Sequence, residues 1–103
     1  MRALKPGLRL RSAVCATEII VLRTPPRDVE LTCGGVAMLG MSDAVPAGGS
    51  VLAGHAQGTL IGKRYVDAPE RIEVLCTHGG AGSLAVDGVA LSVKQAKALP
   101  SSD

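Results

Sequence analysis

Two eight-residue stretches of this chain carry nearly the same pattern, and both are built to reverse direction. Leu31-Thr-Cys-Gly-Gly-Val-Ala-Met38 aligns with Leu84-Ala-Val-Asp-Gly-Val-Ala-Leu91, which sets Gly34-Gly35 against Asp87-Gly88. Gly-Gly and Asp-Gly accept positive φ at both central positions of a two-residue turn, and apolar alternation flanks each pair here. The pattern predicts two β-hairpins, at about 29–39 and about 82–92. Eight residues fit a gene duplication and convergent hairpin chemistry equally well.

The rest of the chain reads as extended structure joined by turns. Residues 13–23 hold Val14, Thr17, Ile19, Ile20 and Val21 without Gly or Pro, the composition of a central strand. Pro25-Pro26 then removes two backbone donors and ends it. Val29, Leu31 and Cys33 share one face of the next strand, with Glu30 and Thr32 on the other. Residues 59–66 resume strand character, with Lys63-Arg64 marking an edge, and Ile72, Val74 and Cys76 line one face of a strand over 71–77. Between them, residues 40–58 are small and weakly charged, a loop long enough to serve as a lid or a binding loop. Helix signals are confined to 92–99, where Ser92 and Gln95 form a capping box and Pro100 stops the run. The expected architecture is one all-β domain over residues 1–103. It is a small antiparallel β-sandwich or barrel of six to eight short strands, with room for that one short C-terminal helix.

Composition excludes several function classes. The 103 residues suit one domain, and without Trp or Phe, and with Tyr65 as the only ring, the core must be aliphatic. Eleven Lys and Arg against nine Asp and Glu leave a net charge of +2, too sparse for a phosphate backbone, and one ring makes no stacking platform. Nucleic acid is therefore not an expected partner. No apolar run approaches the roughly 18 residues of a membrane span, so no membrane partner is expected either. The basic amino terminus runs into Ser12, Thr17 and Glu18, which breaks the apolar stretch that a signal peptide needs. Three cysteines at wide spacing are not a disulfide framework and point to the reducing cytoplasm. A phosphate loop ending at Gly62-Lys63 fails, because Gln57 stands where its first glycine belongs and Arg64 where its hydroxyl belongs.

Candidate chemistry gathers on the sulfurs. Cys33 and Cys76 each end the apolar face of a strand where a Gly-rich turn begins, and Cys15 lies within reach on the preceding strand. With His78 they offer three sulfurs and a nitrogen, a set that a tetrahedral zinc ion accepts. Cys76 with His78 two residues on is also a nucleophile and base, with Gly79-Gly-Ala-Gly82 available to hold an oxyanion. Glu18 is the carboxylate that local patterning explains least, since Val14, Ala16, Ile20 and Leu22 share its face. It is read as a catalytic acid lining a cavity, or else as an edge residue paired with Lys63 or Arg64. The plain alternative for the thiols is burial as small apolar groups.

The sequence thus supports a small cytoplasmic β-domain acting as a homo-oligomeric binding or accessory protein, its apolar surplus (mean hydropathy +0.30) buried between copies. One alternative is a small enzyme whose pocket, open to a small-molecule ligand at the Cys33, Cys76 and His78 end of the sheet, is covered by the 40–58 loop. Another is a zinc protein using Cys15, Cys33, Cys76 and His78.

Overall fold

The computed structural model describes residues 3–67 and 70–94. Among them are ten short strands and no helix: β1 (Arg9–Arg11), β2 (Glu18–Arg23), β3 (Leu31–Cys33), β4 (Val36–Ala37), β5 (Leu39–Gly40), β6 (Arg64–Val66), β7 (Glu73–His78), β8 (Leu84–Val86), β9 (Val89–Ala90) and β10 (Ser92–Val93). They form two antiparallel sheets, one ordered β10-β6-β7-β2-β1-β5 and the other β4-β3-β8-β9. The protein is all-β, and its core draws on both sheets. Leu10, Ile19, Val21, Tyr65, Val74 and Cys76 come from the larger, and Leu31, Cys33, Leu84 and Val86 from the smaller.

Both expected hairpins are present, and their turn chemistry accounts for them. Gly34 and Gly35 have φ of 67° and 83°, and Asp87 and Gly88 have 50° and 83°, the paired positive values of a tight hairpin turn. Asp87 tolerates its position because its carboxylate accepts the backbone N–H of Glu30 at 2.8 Å and a hydrogen bond from Arg27 at 2.9 Å.

The repeat extends far beyond the hairpins. β3 pairs with β8 so that Thr32 stands opposite Ala85, and β2 pairs with β7 so that Ile20 stands opposite Leu75. A pseudo-twofold axis through these two pairs exchanges β1 with β6, β2 with β7, β3 with β8, β4 with β9 and β5 with β10. Hydrogen bonds obey it. Gly7 N to Val21 O (2.7 Å) matches Gly62 N to Cys76 O (2.8 Å), and Val21 N to Leu8 O (2.8 Å) matches Cys76 N to Lys63 O (3.0 Å). Met38 N to Leu31 O (3.0 Å) likewise matches Leu91 N to Leu84 O (2.9 Å). The described residues form two copies of one five-strand unit around a shared core, and coincidence between two hairpins does not account for that.

Three local expectations differ from the structure. The strand expected over 13–23 begins only at Glu18, because Ser12 Oγ accepts the backbone N–H groups of Val14 and Cys15, both at 3.1 Å, and folds 13–17 into a turn. Within β2 the buried face is Ile19 and Val21, so Glu18, Ile20 and Leu22 lie toward solvent. Ser92 and Val93, expected to start a helix, form β10 against β6, while the remainder of that expected helix lies outside the described residues.

Candidate functional site

The turn created by Ser12 carries Cys15 to the end of β3. There Cys15 Sγ lies 3.8 Å from Cys33 Sγ, although the residues are far apart in sequence, Cys15 in the β1–β2 turn of the larger sheet and Cys33 in a strand of the smaller. Cys33 is fully buried and Cys15 half-buried, and neither is in a disulfide. Thr17 Oγ1 sits 3.2 Å from Cys15 Sγ. Toward a protonated thiol that hydroxyl accepts, and toward a thiolate it donates.

Two glycines from the β7–β8 connection roof the sulfurs. A side chain at Gly80 would meet Thr17 Oγ1 at 2.5 Å and Cys15 Sγ at 3.0 Å, and one at Gly82 would meet Gly34 N at 2.8 Å and Cys33 Sγ at 3.0 Å. Only a residue without Cβ lets the backbone come this near. The roof is held by Gly80 and Thr59, whose backbones exchange hydrogen bonds of 2.9 and 3.2 Å. On the far side, the 40–58 loop folds over the Gly34-Gly35 turn, with Leu52 N donating to Gly34 O at 2.9 Å and Val51, Leu52 and His55 against the two glycines.

The two thiols titrate in opposite directions. Burial alone would raise the Cys15 pKa, but hydrogen bonds from the Ser12 and Thr17 hydroxyls and from the backbone of Thr17 and Gly82 outweigh it and lower it to about 7. Cys33 is pushed up to about 11, chiefly by burial and further by the charge on Cys15. Near neutral pH Cys15 is therefore about half ionised beside a protonated Cys33.

The remaining expected site residues lie elsewhere in role or place. Cys76 is buried in β7, its pKa raised by burial, and its Sγ donates to the backbone carbonyl of His78 at 3.3 Å. That contact is with the main chain of His78, so the expected pairing of thiol with imidazole is not what holds the two together. Glu18 stands in register with Arg11 on one side and His78 on the other, at the solvent face of β2. Arg64, expected as its partner, lies 3.6 Å from Glu73, whose buried carboxylate also receives Lys94 Nζ at 2.9 Å. Of the expected zinc ligands, Cys15 and Cys33 converge. Among the described residues no three His, Cys, Asp or Glu side chains are grouped to hold a metal ion, so the four-ligand set does not form.

Ser12 and Thr17 are the site residues that sequence reasoning missed, while Gly80 and Gly82, expected beside Cys76 to hold an oxyanion, lie instead against the sulfurs of Cys15 and Cys33. Ser12-x-x-Cys15-x-Thr17 does flank the cysteine with short hydroxyl side chains, the one local hint available.

Compared with protein-family models, with curated proteins and with solved structures, the chain matches nothing. Among the described residues no helix is long and apolar enough to cross a membrane.

Proposed function

We propose that this protein is a thiol–disulfide exchange module, with Cys15 as the attacking thiol and Cys33 as the resolving thiol of one reversible disulfide. The observation that carries this reading is the 3.8 Å between their sulfurs, close enough for rotamer adjustment to reach the roughly 2.05 Å of a disulfide. The difference in acidity and exposure supports the division of labour.

The reaction balances without any group beyond a substrate disulfide. The Cys15 thiolate attacks one sulfur, a mixed disulfide forms, and the other substrate sulfur leaves as a thiolate that takes a proton from solvent. Cys33 then loses its proton and attacks Cys15 Sγ, which forms the Cys15–Cys33 bond and releases the second substrate sulfur as a thiol. The protein dithiol gives up two electrons, and the substrate disulfide becomes two thiols.

Treating the reduced protein with glutathione disulfide tests this. The expected product is a protein two hydrogens lighter with Cys15 linked to Cys33, formed equally by Cys76→Ala and not by Cys15→Ser. Cys33→Ser should instead accumulate the mixed disulfide on Cys15. A bond that involves Cys76, or no bond at all, would overturn the reading. Three free thiols, two of them poised to oxidise, also favour a reducing compartment such as the cytoplasm.

A homo-oligomeric binding or accessory role is the second reading. It is favoured by Leu60, Ile61 and Val89, which are 61%, 67% and 66% exposed. Native mass spectrometry decides it: a single-chain mass at micromolar concentration sinks the oligomer.

A further inference from the structure

Leu60 and Ile61 are the most exposed pair of large apolar neighbours described, and they lie against the roof of the thiol site. A side chain at Gly79 would meet Thr59 O at 2.7 Å and Ile61 N at 3.4 Å, and the next residue, Gly80, approaches Cys15 Sγ. From Leu60 an open groove of about 410 Å³ continues past Tyr65, Leu84, Ala90, Leu91 and Val93, and Ser83, next to roof residue Gly82, shares its wall. The roof and rim residues Ala16, Gly79, Gly80, Ala81 and Gly82 carry no charge. Lys63 stands two residues beyond Ile61 as the nearest cation to the apolar tip, and Glu18 and His78, the nearest ionisable side chains flanking the roof and rim, face each other in register.

The internal symmetry supplies a control within the molecule. The pseudo-twofold axis places Lys5 and Pro6 where Leu60 and Ile61 stand, as the matched bonds Leu8 N to Lys5 O (3.0 Å) and Lys63 N to Leu60 O (3.3 Å) require. It also places Glu70 and Val86 where Cys15 and Cys33 stand. The half-site that lacks thiols thus has a charged tip beside it, and the half-site that holds them has an apolar one. The exposed apolar pair lies beside the half-site that holds the thiols and is replaced by Lys5 and Pro6 at its symmetry mate.

Resting on the dithiol reading above, we infer that the disulfide exchanged at Cys15 belongs to a polypeptide whose cysteine is flanked by apolar side chains, seated on Leu60, Ile61 and the groove beside them. A charged low-molecular-weight disulfide such as oxidised glutathione, with four carboxylates, meets Lys63 but little else that matches it on this tip, whereas an extended peptide gains apolar contact area next to the reacting sulfur. Binding energy from those flanks holds the scissile sulfur near Cys15 and raises the exchange rate.

The test compares two disulfides on the reduced protein: oxidised glutathione and the symmetric disulfide of acetyl-Leu-Cys-Val-amide. Each rate is divided by the rate of the same probe with dithiothreitol, and the bond formed is located by mass spectrometry. The expected peptide-to-glutathione ratio is about tenfold or more, falling toward one in the Leu60→Ser/Ile61→Ser double variant, whose sites are exposed and leave the core intact. A ratio near one in the parent protein, or a high ratio that the double variant keeps, overturns this inference while leaving the dithiol reading in place. Failure to form the Cys15–Cys33 bond with either probe overturns both.

Discussion

Thr17 Oγ1 lies 3.2 Å from the sulfur of Cys15, and Thr17 is itself fully buried. The hydroxyl oxygen is held at this distance by the packing of the core, so only its proton has to rotate for it to donate to the thiolate.

Replacing Thr17 by Val keeps the side-chain volume and removes that donor. The expected result is a higher pH midpoint for alkylation of Cys15 by iodoacetamide, read at single-residue level by mass spectrometry. A rise of about one pH unit from about 7 lowers the thiolate fraction at pH 7 about fivefold. An unchanged midpoint would mean that the hydroxyl is irrelevant to the thiol.

The opposite shifts of the two cysteines give stability a maximum in pH. Between about 7 and 9 the unfolded chain still holds the Cys15 proton that the folded protein has released, so stability rises with pH and this contribution is lost as pH falls through 7. Between about 9 and 11 the folded protein retains the Cys33 proton that the unfolded chain releases, so stability falls. Urea midpoints across pH 6 to 10.5 should therefore peak at roughly pH 9. Cys15→Ser should flatten the rising limb, and Cys33→Ala should soften the falling one, leaving the part due to Cys76.

Adding one carbon to the roof should be costly. Gly82→Ala places a methyl 2.8 Å from Gly34 N and 3.0 Å from Cys33 Sγ, and backbone cannot move aside as a flexible side chain would. A loss of about 2 kcal/mol in equilibrium unfolding is expected, with slower formation of the Cys15–Cys33 bond. A fully stable variant would contradict the close approach.

At Asp87 the symmetry predicts a ranking. Its mate is Gly34, and both have positive φ. Asp87→Gly should lower the urea midpoint less than Asp87→Ala, because Ala loses the bonds to Glu30 and Arg27 and also strains the turn. The Glu30 N–H first, and Arg27 second, hold the Asp87 carboxyl below its usual range, so this contribution is present at neutral pH and lost as acid protonates it. Equal midpoints for Gly and Ala would argue against the turn geometry.

What the amino-acid order decided by itself is local. Gly-Gly and Asp-Gly reverse the chain because few other dipeptides accept two positive φ angles, and Ile72, Val74 and Cys76 face inward because side chains alternate along a strand. The repeat was legible over eight residues, since only the hairpins kept similar side chains, whereas the matching of β1 with β6 and β2 with β7 is carried by backbone hydrogen bonds that many sequences satisfy. The meeting of Cys15 with Cys33 was not legible, nor was the role of Gly80 and Gly82 above them. Those depend on Ser12 delaying the start of β2 and on a connection crossing from one sheet to the other, which brings together residues distant in sequence that no local propensity pairs. Cys76 was equally plausible as a site residue by pattern, and only its burial and its bond to a main-chain carbonyl distinguish it from Cys15.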